Sequence, residues 1–231
     1  TIRLDGPGVT IADVVEVARN HEPVALTDAA LERMDSARAI VETLADADPT
    51  YGVSTGFGAL ATVTIAPERR ADLQAALVRS HAAGMGPPVE PEVVRAMVFL
   101  RARTLALGHS GARPIVAEGL LNLINAGIAP VVPEHGSLGA SGDLAPLAHA
   151  ALALIGEGNV EVDGAVIPAA EALAGAGLSA LTLADKEGLA LTNGTDGILG
   201  MLCLACHDAG HLLTQADIAA AMTVEGVLAT D

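Results

Sequence analysis

The segment Leu144 to Ile155, LAPLAHAALALI, has almost no face to give to water. One polar side chain, His149, interrupts it. A helix that is apolar all round must be covered on most sides. This chain therefore has to build other helices around that one. The supply of apolar residues permits it: 51% of the 231 residues are hydrophobic, mostly Ala, Leu and Val, with two Phe, one Tyr and no Trp. Such a core favours close helix packing through small side chains. The expected fold is mainly α. A globular N-terminal region leads into a bundle of long helices, with one small β-hairpin, and the provisional division is 1–110 and 111–231.

Periodicity and punctuation supply the remaining elements. Residues 1–8 read as a short strand ending in a turn. Thr10 caps a helix to about Asn20, with Asp13 as its capping-box partner. A helical pattern runs over 28–46, and others over 67–82, 91–107 and 114–126. Gly108 and Gly127 stand where left-handed glycines end helices. Residues 128–139 read as a long connection. Residues 159–167 read as a hairpin turning at Asp163-Gly164. Further helices are expected over 168–175, 185–191, 195–213 and 216–229. The last pattern stops at Thr230-Asp231 without a clear C-cap, so the chain is expected to be a piece of something longer.

Charge and composition narrow the partners. The formal net charge is −16 and Lys186 is the only lysine. An acidic surface without basic and aromatic clustering argues against nucleic acid and anionic lipid. No secretory leader is visible, and the apolar run Ile198–Ala205 is too short to span a bilayer. With two cysteines close together on a predicted helix, a reducing cytoplasm is the expected location.

Immediately before the apolar helix stands Gly139-Ala140-Ser141-Gly142-Asp143. An Ala-Ser-Gly triplet lacks bulky side chains and can fold back on itself. The Gly142 nitrogen can then approach the Ala140 carbonyl carbon. Ring closure and dehydration at Ser141 would create an exocyclic methylene beside a conjugated carbonyl. No unmodified side chain supplies such an electrophile. Read alone, the same residues describe a helix start, with Ser141 as N-cap and Asp143 in the first turn.

Three other segments bear on that choice. Tyr51-Gly52-Val53-Ser54-Thr55-Gly56-Phe57-Gly58 is a glycine-rich loop around the single tyrosine. It is either a packed turn or a loop approaching a ligand, with Tyr51 as a general acid or base. Arg79-Ser80-His81-Ala82-Ala83-Gly84 ends a helix, where His81 is a dipole-favoured cap or a ligand contact. In Leu191-Thr192-Asn193-Gly194-Thr195, Asn193 is an N-cap, an amide donor to a ligand, or both. Two further patterns are set aside. Cys203-Leu204-Ala205-Cys206-His207 matches the haem-attachment spacing, but it lies in an apolar helix and no export signal is seen. His207 and His211 are four residues apart, but Asp208 follows His207, so the zinc-hydrolase pattern is not met. No metal is expected.

Together GASGDLAPLAH, YGVSTGFG, SHAAG and LTNGT resemble the aromatic amino-acid ammonia-lyases, and among them those that act on histidine. That resemblance implies a self-made methylidene-imidazolone (MIO) cofactor from Ala140, Ser141 and Gly142. It implies roles for Asp143 in ring formation, Tyr51 as base, Asn193 near the ring or substrate amine, and His81 as the selectivity position. Leu191 and Gly58 would contact substrate. It further implies a homotetramer with shared active sites and elimination of ammonia from L-histidine to give trans-urocanate. Tyrosine ammonia-lyase or aminomutase chemistry is the alternative within the family, and an inactive helical scaffold the alternative outside it. Family members run to about twice this length, so only an N-terminal half is expected here. The family loop more often carries Asn where this chain has Ser54. A serine can still bond locally, and a small effect is expected.

Overall fold

The computed structural model describes residues 1–45, 49–138 and 141–229. Gly139, Ala140 and the end at Thr230-Asp231 lie outside them, as does the last residue expected for the 28–46 helix. Strand β1 (Ile2–Leu4) leads to helix α1 (Ile11–Asn20), which Thr10 opens. The Thr10 hydroxyl accepts from the Asp13 N–H and the Asp13 carboxylate accepts from the Thr10 N–H, the reciprocal capping box the sequence predicts. Strand β2 (Val24–Leu26), which periodicity does not announce, pairs in parallel with β1. Asn125 holds β2 from outside, its side chain bonded to both the N–H and the carbonyl of Val24.

Helices α2 (Asp28–Ala45), α3 (Arg70–His81), α4 (Pro91–Ala106) and α5 (Pro114–Asn125) follow close to their predicted places. Pro91 and Pro114 open the last two, where the missing N–H costs nothing. Gly108 and Gly127 take φ of 74° and 68° beyond their ends. Strand β3 (Met85–Pro88) lies between α3 and α4.

The long connection after α5 is not irregular throughout. Strand β4 (Ala129–Pro130) and strand β5 (Pro133–His135) are embedded in it. β5 pairs with β3. β4 adds a third strand to the hairpin of β6 (Asn159–Val162) and β7 (Ala165–Pro168), which turns at Asp163-Gly164 as predicted.

Helix α6 (Leu144–Leu154) has Leu147, Ala148, Ala150, Ala151 and Ala153 fully or nearly covered, as an all-apolar helix requires. It packs on α3, on the short helix α7 (Ala169–Gly175) and on α8 (Glu187–Thr192). The final helix, α9, is one element, Asp196–Gly226, and not the two expected. Nothing at Gln215 stops it, because Thr214, Gln215 and Ala216 all tolerate helix. α8 with α9 is long and apolar enough by length and composition to cross a membrane. Its first turns instead pack on α4 and α1, and Asp208 is bonded to Arg19 of α1. Beyond that, α9 projects with Leu212, Leu213, Ile218 and Met222 exposed.

α4 is the hub. Every residue from Ala96 to Ala102 is buried, and α1, α5 and α9 lie against it. A single apolar cluster around Phe99 extends from Leu4 to Leu204. Each large apolar side chain buried in it contributes about 1.5–3 kcal/mol.

Candidate active site

The turn before α6 is held by its own backbone and by the start of α9. Gly142 has φ of 92°, a conformation that favours glycine. A Cβ there would sit 3.1 Å from Ile198 Cδ1. Ser141 carries a hydroxyl oxygen that is buried and, among the described residues, without a hydrogen-bond partner. Such an atom in a native fold calls for an explanation. Neither Ser141 nor Asp143 behaves as the simple cap that a motif-free reading suggests. Asp143 stands at the N-cap of α6, but its side chain does not cap that helix. The carboxylate is fully buried, accepts from Ser137 Oγ at 2.7 Å, and accepts from the Ile198 N–H at 2.9 Å. It therefore satisfies an orphan donor in the first turn of α9, where Thr195 supplies no side-chain cap. The helix dipole favours a negative charge at that point.

The Asp143 N–H donates to the Gly194 carbonyl at 3.1 Å, so the 141–143 turn is tied to the segment after α8. That segment carries Asn193. Its backbone carbonyl accepts from Arg101 Nη1 at 2.8 Å, while the residue itself is exposed. Arg101 belongs to α4 and is 4% exposed. Its Nε lies 3.3 Å from Asp196 Oδ2, an ion pair whose angle leaves both atoms without a true hydrogen bond. Thr104 donates to the other oxygen of Asp196. Burial pushes the Arg101 guanidinium below its ordinary value, and Asp196 opposes that shift.

Helix α8 is fixed from behind. Glu187, fully buried at its start, accepts from Arg113 Nε and Nη2 and from the N–H groups of Arg113 and Ala184, all within 3.0 Å. Bonding to Glu187 raises the Arg113 guanidinium above its usual value. Gln74 Oε1 in α3 accepts from the Gly188 N–H. Leu191, the expected substrate contact, is buried in the main core.

The glycine-rich loop lies against the same helix. A Cβ on Gly52 (φ 71°) would come 2.9 Å from Leu189 Cδ2 and 3.1 Å from Phe57. Tyr51 is 52% exposed, meets Phe57 edge-on at 6.0 Å, and its hydroxyl accepts from the Gly58 N–H at 3.4 Å. Gly58 itself (φ 52°) faces open space. Ser54 Oγ accepts from the Thr50 N–H at 2.9 Å, the local bond expected of a serine here. His81 is half-buried at the end of α3, its Nδ1 within 3.0 Å of both Leu77 O and Ser80 Oγ. The segment between α3 and β3 is joined to α6 by the Gly84 N–H donating to His149 Nε2.

The structure thus brings residues 141–143 and 193–198 into direct contact, and packs the Tyr51 loop on α8. Among the described residues, no hydrogen bond or ring contact joins Tyr51 or His81 to the 141–143 turn. The cavity bordering Asp143 measures about 40 Å³. That is far below the 300 Å³ or more typical of a ligand pocket. The larger clefts, such as one of about 620 Å³ between β2, α5 and α7, lie away from the motif residues and do not touch the chemistry. The set-aside patterns fall on α9. There Cys203 is buried and Cys206 exposed, while His207 and His211 stand with Nε2 atoms 3.1 Å apart.

A profile of the family described as aromatic amino acid lyase matches residues 9–231. The chain belongs to that family. It is 57% identical to a histidine ammonia-lyase of Streptomyces griseus over all of its own length and 45% of that protein's. It is similar in structure to a histidine ammonia-lyase of Trypanosoma cruzi, with a TM-score of 0.91 and 36% identity, covering 99% of this chain and 44% of that one. A tyrosine aminomutase of Streptomyces globisporus superposes with a TM-score of 0.91 at 40% identity, over 98% of this chain and 43% of that one. The chain therefore spans about half the length of the lyases it matches. Sequence motifs did not point to Arg101, Asp196, Glu187 or Gln74. Their signal is a charged or amide residue inside an apolar helical pattern, which is legible only once the burial is known.

Proposed function

We propose that this chain carries the electrophile-bearing half of a histidine ammonia-lyase, which converts L-histidine to trans-urocanate and ammonia. The observation that carries the reading is the Ser141 hydroxyl, buried and, among the described residues, unpartnered, in a turn that Gly142 bends at φ 92° and Asp143 anchors. A hydroxyl with no competing bond among the described residues, beside a backbone that bends at Gly142, suits closure of residues 140–142 into the MIO ring. When formed, that ring supplies an electrophile for the substrate amine and makes ammonia a better leaving group. The first-turn N–H groups of α6 lie beside the ring residues and favour negative charge there.

The chain's own residues then divide the remaining work. The exposed Tyr51 hydroxyl, loosely held by Gly58, takes the β-proton. The Asn193 side chain would be the amide donor to the ring or to the substrate amine, while its backbone is locked by Arg101. His81, at the end of α3, selects the substrate side chain, and Leu191 and Gly58 contribute substrate contacts. Residues 1–110 present Tyr51, Gly58 and His81. Residues 111–231 present the ring triplet, Leu191 and Asn193. We further propose a cytoplasmic homotetramer with active sites shared between chains. The unpartnered Leu212, Leu213, Ile218 and Met222 on α9 support it. The acidic chain, with a formal charge of −16, is assigned no nucleic-acid or membrane partner.

The aminomutase likeness favours a second reading, tyrosine as substrate, but 57% identity with the histidine enzyme against 40% there supports histidine. Two measurements test the proposal. Intact mass should show the loss of two waters, mapped to residues 140–142; an unmodified Ser141 favours the inactive scaffold. In the full-length assembled protein, steady-state assays should show histidine turned over and tyrosine not, and the opposite outcome overturns the substrate assignment.

A further inference from the structure

A buried arginine beside, but not within, the candidate site has a geometry that packing alone does not require. Arg101 lies on the hub helix α4, 4% exposed, amid alanines, leucines and Met97. Burying a guanidinium is costly unless its donors are met. Here they are met only in part: Nη1 bonds the Asn193 carbonyl at 2.8 Å, while Nε and Asp196 Oδ2, 3.3 Å apart, lack a proper hydrogen bond. The next residue along leaves no room for a side chain. A Cβ on Gly194 would come within 2.6 Å of Arg101 Nη1 and would also collide with Asp196. Gly194 in turn offers the carbonyl that receives the Asp143 N–H. Asp143 returns to the same segment through the Ile198 N–H. The path Arg101, Asn193–Asp196, Gly194, Asp143 is thus a closed set of bonds ending at the turn that holds Ser141.

We propose that Arg101 is a positioning residue for the 141–143 turn: by clamping the Asn193 carbonyl and the Asp196 carboxylate together, it sets where the Gly194 carbonyl holds the Asp143 N–H. It touches no substrate. Under the reading that residues 140–142 cyclise, the consequence is chemical. The Gly142 nitrogen bonds to the Ala140 carbonyl carbon, and that oxygen leaves as water with the Gly142 and Ser141 N–H hydrogens, leaving a C=N bond between the Ala140 carbon and the Ser141 nitrogen. The Ser141 Oγ leaves as a second water with the Ser141 α-hydrogen. No oxidant is consumed. Ring closure needs the turn held, and Arg101 holds it through the 193–196 segment and Asp143.

The test uses Arg101→Lys and Arg101→Met in the whole chain, with two readouts. Lysine keeps the charge beside Asp196, but its compact ammonium lacks the planar fork that reaches both acceptors. The expected result is helix content like wild type in Arg101→Lys, with the Asp143 and Ile198 amides exchanging about tenfold faster or more, as for loss of a charge-assisted clamp. Exchange in α5 should stay unchanged. The fraction of chains lighter by two waters should fall in Arg101→Lys and further in Arg101→Met. Unchanged protection of both amides in folded Arg101→Lys overturns the proposal, as does full dehydration of folded Arg101→Met. Should Arg101→Met fail to fold, Arg101→Lys alone decides. The inference rests on the ring reading only for the mass readout. If the wild-type chain loses no water, that reading falls, and the exchange rates still decide the role of Arg101.

Discussion

Replacing Asp143 by alanine tests the bond network at its most exposed point of failure. The carboxylate is fully buried and accepts two hydrogen bonds, from Ser137 Oγ and from the Ile198 N–H. The Ile198 bond is charge-assisted and caps α9, which places it at about 1.5–3 kcal/mol. The Ser137 bond is worth less, about 0.5–1 kcal/mol, because Ser137 is exposed and its hydroxyl turns to water. Removing the carboxylate also removes the cost of burying it, which offsets part of the loss. The net expectation for Asp143→Ala is a loss of about 2–3 kcal/mol. For a domain of this size that is a fall in Tm of about 5–10 °C. Asp143→Asn keeps an acceptor for the Ile198 N–H and should lose about 1 kcal/mol. Urea unfolding followed by far-ultraviolet circular dichroism measures both, with unchanged m-values showing that two-state behaviour persists. A loss below about 0.5 kcal/mol in Asp143→Ala, or an Asn variant as damaged as the Ala one, would refute the assignment of this carboxylate as the cap of α9.

Two further outcomes follow from buried groups. Burial holds the His149 imidazole below its ordinary 6.5, and its Nε2 accepts from Gly84, so the folded form binds its proton less readily than the unfolded chain. Its contribution is fully present above 6.5 and is lost as pH falls through the lower folded value. A wild-type stability profile that declines just below that point, and a flatter one in His149→Gln, would show it; parallel profiles would not. Glu187→Ala strands the N–H groups of Arg113 and Ala184 and the part-exposed Arg113 guanidinium, at a cost of about 2–4 kcal/mol after allowance for solvent. Denaturant titration beside Glu187→Gln, the milder change, checks it.

Helices were readable where one local rule sufficed. Thr10 with Asp13, Gly108 and Gly127 each act within a few residues, and the structure uses them as predicted; Pro91 and Pro114, equally local, open the helices expected over 91–107 and 114–126. Elements decided at long range were not readable. β1 is expected from residues 1–8, but its parallel pairing with β2 some twenty residues on, braced by Asn125, and the β3–β5 pairing of Met85 with His135 leave no periodic trace. The unbroken α9 was missed because the polar run at His207, Asp208 and His211 followed by Gln215 resembles a boundary. One turn of it is tied to Arg19, far away in sequence. The site divides in the same way. Its small-residue motifs stand in the sequence, but the partner of Asp143 is the N–H of Ile198, fifty-five positions later, and no motif names a backbone donor.

The glycines around the site give that long-range arrangement its reason. Gly188 passes so close to α3 that a Cβ would lie 2.8 Å from the Gln74 carbonyl. On α9, a Cβ at Gly197 would meet Asp143 Oδ2 and Met97 Sδ at 3.2 Å, and one at Gly200 would meet Ala96 Cβ at 3.1 Å. Gly188 lies at an approach that any side chain would push apart, and at Gly197 and Gly200 a Cβ would fit only if its neighbours gave by a few tenths of an ångström. Separation there would carry the α9 N-terminus away from Asp143 and Arg101 together. A helix-destabilising residue is thus retained near the start of α9, at a cost of about 1 kcal/mol each relative to alanine, in return for backbone contact that side chains could not make. The stretch most poorly suited to forming helix on its own is therefore the one that sets the distance between the ring triplet and its buried arginine.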